Sequence, residues 1–242
     1  MHFTAEQRHD GVREREFTLG EIPGILWTPD APSEPVPLIL MGHSSDLTRM
    51  RPRLTARAEA TVAQGFAAAT IELPGNGTRP RIPAFDQARA DLRTALKSGA
   101  KVTEDIIDRL ILPLIDQAAP ESREALDALQ SLPEIAPQAG YAGGITALAI
   151  RLATIDPRIK AAVLFAGSYL PSTTFEEARA LTIPVHVLLQ WDDEGNDRQA
   201  ALDLFDALNT KDKTLHANMG GHTGVPAFEA PASNAFFTRH LK

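Results

Sequence analysis

The clearest chemistry in this sequence lies in an acidic strand end and a histidine set among glycines. The run His186-Val187-Leu188-Leu189-Gln190-Trp191-Asp192-Asp193-Glu194 is mostly apolar until it emerges into three carboxylates, and Gly220-Gly221-His222-Thr223-Gly224 follows nearer the C-terminus. A carboxylate beside an imidazole fixes its tautomer and stabilises its cation, so the ring can serve as a general base. Flanking glycines give the loop the freedom to carry that ring back over a sheet edge. Asp193 is the preferred acid and Asp192 the runner-up, the plainer alternative being a solvated strand end. His216, in the preceding strand, reads as structural, and His2, His9 and His240 lie near the chain ends.

Besides a base and the group that orients it, acyl transfer needs two further things: a nucleophile and donors for the oxyanion. A serine nucleophile sits at a tight strand-to-helix turn with the pattern G-x-S-x-G. This chain has Gly140-Tyr141-Ala142-Gly143-Gly144, then the helical ITALAIRLA, then a strand from Ile159. The frame fits except at its centre, where Ala142 has no oxygen. Backbone donors are expected at Ser44, in Gly42-His43-Ser44-Ser45, and at Gly143. His43, Ser45, Tyr141 and Trp191 are candidate substrate contacts, although His43 also suits a loop-ordering role. Ser44 and Ser45 make poor nucleophiles, because their flanks lack the elbow glycines. A second register, G-Y-W-G-x-S-x-G, would move the nucleophile position to Ile145. The Ala142 register is preferred because it leaves one departure instead of two and a full-length helix before Pro157-Arg158. Arg49, Arg51, Arg53 and Arg57 form a solvated face from which a guanidinium could meet a substrate carboxylate.

The elements that must position these residues alternate short apolar runs with helical patterns, which implies an α/β fold with a mostly parallel sheet. Residues 14–19 and 24–28 read as a leading antiparallel pair. VPLILM (36–41), AAATIEL (67–73), 159–165 and 185–190 read as buried strands. Helices are expected over 54–66, 198–208 and 227–241, and a short strand over 214–217. Residues 81–137 form a helical insertion within one domain spanning 1–242, where Ile106, Ile107, Leu110, Ile111, Leu114 and Ile115 share a face and Pro113 should kink the helix. The insertion is either a cap over the substrate or additional packing on the sheet.

A net charge of −7 argues against nucleic-acid and membrane-surface partners. The absence of cysteine excludes disulfides and thiolate chemistry. No run approaches a membrane span and the N-terminus is polar, so a cytoplasmic location is expected.

Taken together, LILMGHSS, IELPGNG, GYAGG, VLLQWDDE and TLHANMGGH resemble the α/β-hydrolase superfamily, and within it the dienelactone-hydrolase-like esterases. That resemblance implies a serine hydrolase of small acyl substrates, esters or lactones, with no metal or organic cofactor. In its terms Ala142, Asp193 and His222 occupy the nucleophile, acid and base positions. Two other departures, Ser44-Ser45 in the oxyanion loop and Gly75-Asn76-Gly77 in place of G-H-G, leave hydrolysis possible. The leading expectation is a serine-to-alanine form, inactive or nearly so, of a carboxylesterase or lactonase. The alternatives are a non-hydrolytic enzyme (isomerase, epimerase, cyclase or lyase) using a His222–Asp193 dyad for proton transfer, and a non-catalytic binding protein.

Overall fold

The computed structural model describes all residues except Ala166, Ser168 and Thr223. Among the described residues, nine strands form one sheet: β1 (His2–His9), β2 (Val12–Leu19), β3 (Ile22–Pro29), β4 (Val36–Gly42), β5 (Ala67–Ile71), β6 (Ile135–Gly143), β7 (Ile159–Phe165), β8 (Val185–Gln190) and β9 (Lys213–Asn218). Their spatial order is β1-β2-β3-β5-β4-β6-β7-β8-β9. The first three pair antiparallel, β3 meets β5 antiparallel, and every pairing from β5 to β9 is parallel. The chain thus adopts an α/β fold with a mostly parallel sheet. The parallel strands carry apolar residues on both faces because helices cover both.

One face buries α1 (Leu47–Val62) and α7 (Glu229–Leu241) through Leu54, Ala58, Phe236 and Phe237, packed on Ile39, Met41, Ala161 and Val163. The other face takes the C-terminal part of α3 (Glu104–Gln130) with α4 (Thr146–Ile155), α5 (Ser172–Ala180) and α6 (Arg198–Ala207). The insertion supplies α2 (Pro83–Ser98) and α3, a helix that runs through both Pro113 and Pro120. Its middle turns place Ile115, Ala118 and Ala119 against Ala147 and Leu148 at the start of α4, with Ile145 packed beside them. No helix among the described residues is long and apolar enough to cross a membrane.

Three elements depart from the expectation. β1 is an edge strand with mostly exposed side chains, so its sequence carries no apolar alternation to reveal it. Helix α1 begins at Leu47 instead of residue 54. Asp46 caps it by accepting a hydrogen bond from the Arg49 amide (3.0 Å), and Pro52 lies inside it. Helix α5 has only Thr174 and Ala178 fully buried, too few to give a helical stripe.

Candidate active site

The loops at the C-terminal ends of β4, β6, β8 and β9 lie along one edge of the sheet, where open parallel sheets hold their ligands. Two of these loops bring His222 and Asp193 together. Nδ1 of His222 lies 2.7 Å from Asp193 Oδ2. The imidazole is 82% exposed and the carboxylate 6%. Nε2 has no partner among the described residues and is open to a ligand.

Asp192 has a different task. Its carboxylate accepts hydrogen bonds from the amides of Gly220 (2.8 Å) and Gly221 (2.9 Å), and these bonds hold its pKa below the usual carboxylate range. Gln190 Nε2 donates to the Gly221 carbonyl (2.9 Å). The strand end thus grips the histidine loop at three points, with one acid for the loop and the next for the ring. Within that loop a Cβ on either Gly220 or Gly224 would overlap the other's carbonyl, which is why both are glycine. Thr223 of this motif lies outside the described residues.

The bend before α4 differs from the expected elbow. Ala142 lies inside β6, paired with Met41 and Val163, and it packs in the cluster shared with α1 and α7. A side chain there faces the core. Gly140 is a packing glycine: a Cβ would sit 2.7 Å from the Phe237 ring. The pattern G-x-A-x-G therefore marks a strand with a helix pressed on it. The turn itself spans Gly143 (φ 74°), Gly144 (φ 72°) and Ile145, and α4 starts at Thr146. Ile145, the position reached by the second register, stands directly before the helix. Its branched Cβ disfavours positive φ, and the two glycines ahead of it carry the reversal. A Cβ on Gly144 would lie 2.6 Å from Gly42 Cα and 2.8 Å from the His43 amide, so the bend presses closely on the β4 loop.

From 142 to 145 the chain offers Ala, Gly, Gly and Ile, with no hydroxyl or thiol. The Thr146 hydroxyl donates to the Phe165 carbonyl and is committed there. Gly143, expected as an oxyanion donor, is the last residue of β6 and pairs with Gly42 of β4. The amides that follow the bend are those of the first turn of α4, which no side chain caps. Ser44 is exposed just past the end of β4.

The candidate substrate contacts divide. Tyr141 is 2% exposed, burial pushes its phenol pKa up, and it belongs to the core. His43 is buried with Nδ1 2.5 Å from the Ser45 carbonyl and Nε2 2.9 Å from that of Ile71, so it braces the loop. Ser45 is half-buried and lends its carbonyl to that brace. Trp191 is exposed beneath Arg198, whose guanidinium carbon lies 4.2 Å from its ring centroid, and with Asp193 it lines a recess of about 390 Å³.

Tyr169 escaped the sequence reading, and Arg57, read there as part of a solvated face, is instead turned inward. Arg57 of α1 donates to the Ala142 carbonyl (3.1 Å), and burial pulls its pKa down. Tyr169 has its phenol pKa raised, by burial first and then by the charges of Asp193 and Asp197. Its neighbour Leu170 lines a cavity of about 710 Å³ between the start of α3 and α5. Tyr169 shows no spacing signal, and the spacing of Arg57 within its arginine cluster did not reveal its inward turn.

No protein-family model and no curated protein matches the chain. Among solved structures, a cold-adapted esterase from an Arctic intertidal metagenomic library is 30% identical, with full coverage of both chains and a TM-score of 0.75. The chain belongs to the α/β-hydrolase esterase family. A dienelactone hydrolase from Anabaena variabilis (20% identity, 95% of this chain and 99% of that one, TM-score 0.63) shares its fold. So does an acetyl xylan esterase from Paenibacillus sp. R4 (15%, 99% and 87%, TM-score 0.64). The chain itself pairs an exposed histidine with a buried carboxylate and has a bend without a hydroxyl.

Proposed function

We propose that this esterase-family chain hydrolyses small esters, and lactones by the same chemistry, through general-base attack of water and without an acyl-enzyme. One observation carries the reading: an exposed His222 paired with a buried Asp193, at an edge whose strand-to-helix bend has no nucleophilic side chain. Nε2 takes a proton from water as the water oxygen bonds to the acyl carbon. The oxyanion is met by the amides of Ser44 and the first turn of α4, and collapse expels the alkoxide, which recovers the proton from the imidazolium. The recess lined by Trp191 and Asp193 gives room for a small acyl compound beside the pair. Without a covalent step, turnover should fall on the order of a millionfold below a serine enzyme's, leaving about 10³–10⁴ over water.

p-Nitrophenyl acetate turnover combined with fluorophosphonate labelling tests this. Wild type should turn over slowly and remain unlabelled, and His222→Ala should lose about 10²-fold or more. Labelling of the wild type, or turnover indifferent to His222, would refute it. The hydroxyl-free bend also suits the dyad as a base towards carbon acids. That second reading predicts solvent-deuterium exchange next to a carbonyl, abolished in His222→Ala, with no ester turnover.

A further inference from the structure

His186 on β8, His216 on β9 and Glu229 at the start of α7 meet at the sheet edge, apart from the His222–Asp193 pair. Register places Leu188 opposite His216 and His186 opposite Thr214, so both imidazoles project from the same face. Their ring centroids lie 4.4 Å apart at 87°. Nδ1 of His216 is 2.9 Å from Glu229 Oε2, His186 Nε2 is 3.8 Å from the same oxygen, and the three donor atoms all lie within 4.8 Å of one another.

Two of the three residues are buried, and one of them, His186, has an atom that its neighbours leave unpartnered. His186 is 3% exposed, with Nδ1 held 2.7 Å from the Thr214 hydroxyl, yet its Nε2 has no hydrogen-bond partner among the described residues. Burying a polar atom without a partner sacrifices its hydration. Glu229 is 1% exposed and also accepts a hydrogen bond from Asn218 Nδ2 (2.8 Å), so it is a buried carboxylate oriented towards two imidazoles. A buried carboxylate persists where it is paired or holds a metal, and His216 and Asn218 already keep this one oriented.

We propose that His186 Nε2, His216 Nδ1 and the Glu229 carboxylate form a binding site for a divalent transition metal of the zinc class. Two imidazoles and a carboxylate are the ligand types such an ion takes, and water completes the tetrahedron. Metal–ligand bonds of about 2.0–2.1 Å place tetrahedral ligand atoms about 3.3 Å apart. The 2.9 Å and 3.8 Å separations bracket that figure. Thr214 and Asn218 hold the outer atoms of His186 and Glu229, as supporting groups do around a bound metal. His216 is the half-exposed member, with 45% of its side chain open, and gives the ion its entry. The ion would join residues 216 and 229, which bracket the loop carrying His222, and so fix that loop at both ends. This inference stands independently of ester hydrolysis.

The test uses the full chain after dialysis against a chelator, with zinc titrated by calorimetry and followed by thermal unfolding. One zinc per chain is expected, with Tm raised by about 5–10 °C when zinc reaches 100 times its Kd. Removal of supporting groups alone costs 10–100-fold, so His216→Ala, at a partly exposed position, should weaken binding by more than about 100-fold. Glu229→Gln should do the same, and His222→Ala should bind as wild type. Absence of zinc binding, unchanged affinity in His216→Ala, or loss of it in His222→Ala would each overturn the proposal. The last result would move the ion to the dyad, and the first would leave a His–Glu hydrogen bond alone.

Discussion

The contact between the bend and the β4 loop can be measured with one methyl group. Gly144→Ala adds a Cβ that lies 2.6 Å from both the Cα and carbonyl carbon of Gly42 and 2.8 Å from the His43 nitrogen. All three are backbone atoms, so no side chain can swing aside. The residue also sits at φ 72°, where an L side chain costs about 1–2 kcal/mol. Forcing extra volume into a packed site adds about 1–3 kcal/mol, for a total of about 2–5 kcal/mol out of a typical stability of 5–15 kcal/mol. Gly221→Ala provides the control: φ is 64° and nothing lies within 4 Å of the added carbon, so only the dihedral cost remains. Urea denaturation of the two variants should therefore separate by about 1–3 kcal/mol, or by about 2–12 °C in Tm for a chain of this size. Equal losses would show that the bend does not touch the β4 loop, and the assignment of the oxyanion donors would fall with it.

Further outcomes follow from the same geometry. Ala142→Ser should remain unlabelled by fluorophosphonate, because its hydroxyl would enter the layer under α1 and α7. Ile145→Ser should gain labelling, and the reverse pattern would restore the elbow to residue 142. Asp193→Asn should lower turnover about as much as His222→Ala, whereas Asp192→Asn should act by loosening the amides of Gly220 and Gly221, and KM against kcat separates the two. Asp156 is buried and held below the usual carboxylate pKa chiefly by Arg158 (2.6 Å). Its depressed pKa means that its stabilisation is fully present above the unfolded value near 4 and is lost as pH falls through the folded one. Asp156→Asn should accordingly cost about 1.5–3 kcal/mol at pH 7 and flatten the acid limb below about pH 4 in a denaturation series. Trp27→Phe should remove the indole donor that lies 2.6 Å from the buried Glu14 carboxylate, at a cost of about 1–3 kcal/mol by thermal unfolding.

How much of this was legible before folding depended on whether a residue's role is local. The alternation of apolar runs with helical stripes specified the parallel sheet, since burial on both faces leaves a continuous apolar strand. Glycines beside His222 and acids at the end of β8 are signals within a few residues, so both partners stood out in the chain. The rest required the third dimension. Gly140 and Gly144 look alike in sequence, yet one is small to admit Phe237 and the other to admit the β4 loop, and each reason lies in a segment remote along the chain. For that reason the frame around Ala142 read as an elbow when it is a strand. Asp192 and Asp193 are adjacent, and the alternation of a chain leaving its strand sends one to the loop amides and the other to the ring. Sequence alone settled the architecture and set a run of carboxylates and a glycine-flanked histidine at two loop ends. Tertiary packing decided which glycine turns the chain, which acid meets the histidine, and that two histidines and a glutamate meet at the sheet edge, because those outcomes depend on atoms brought together only when β4, β6, β8, β9 and α7 are assembled.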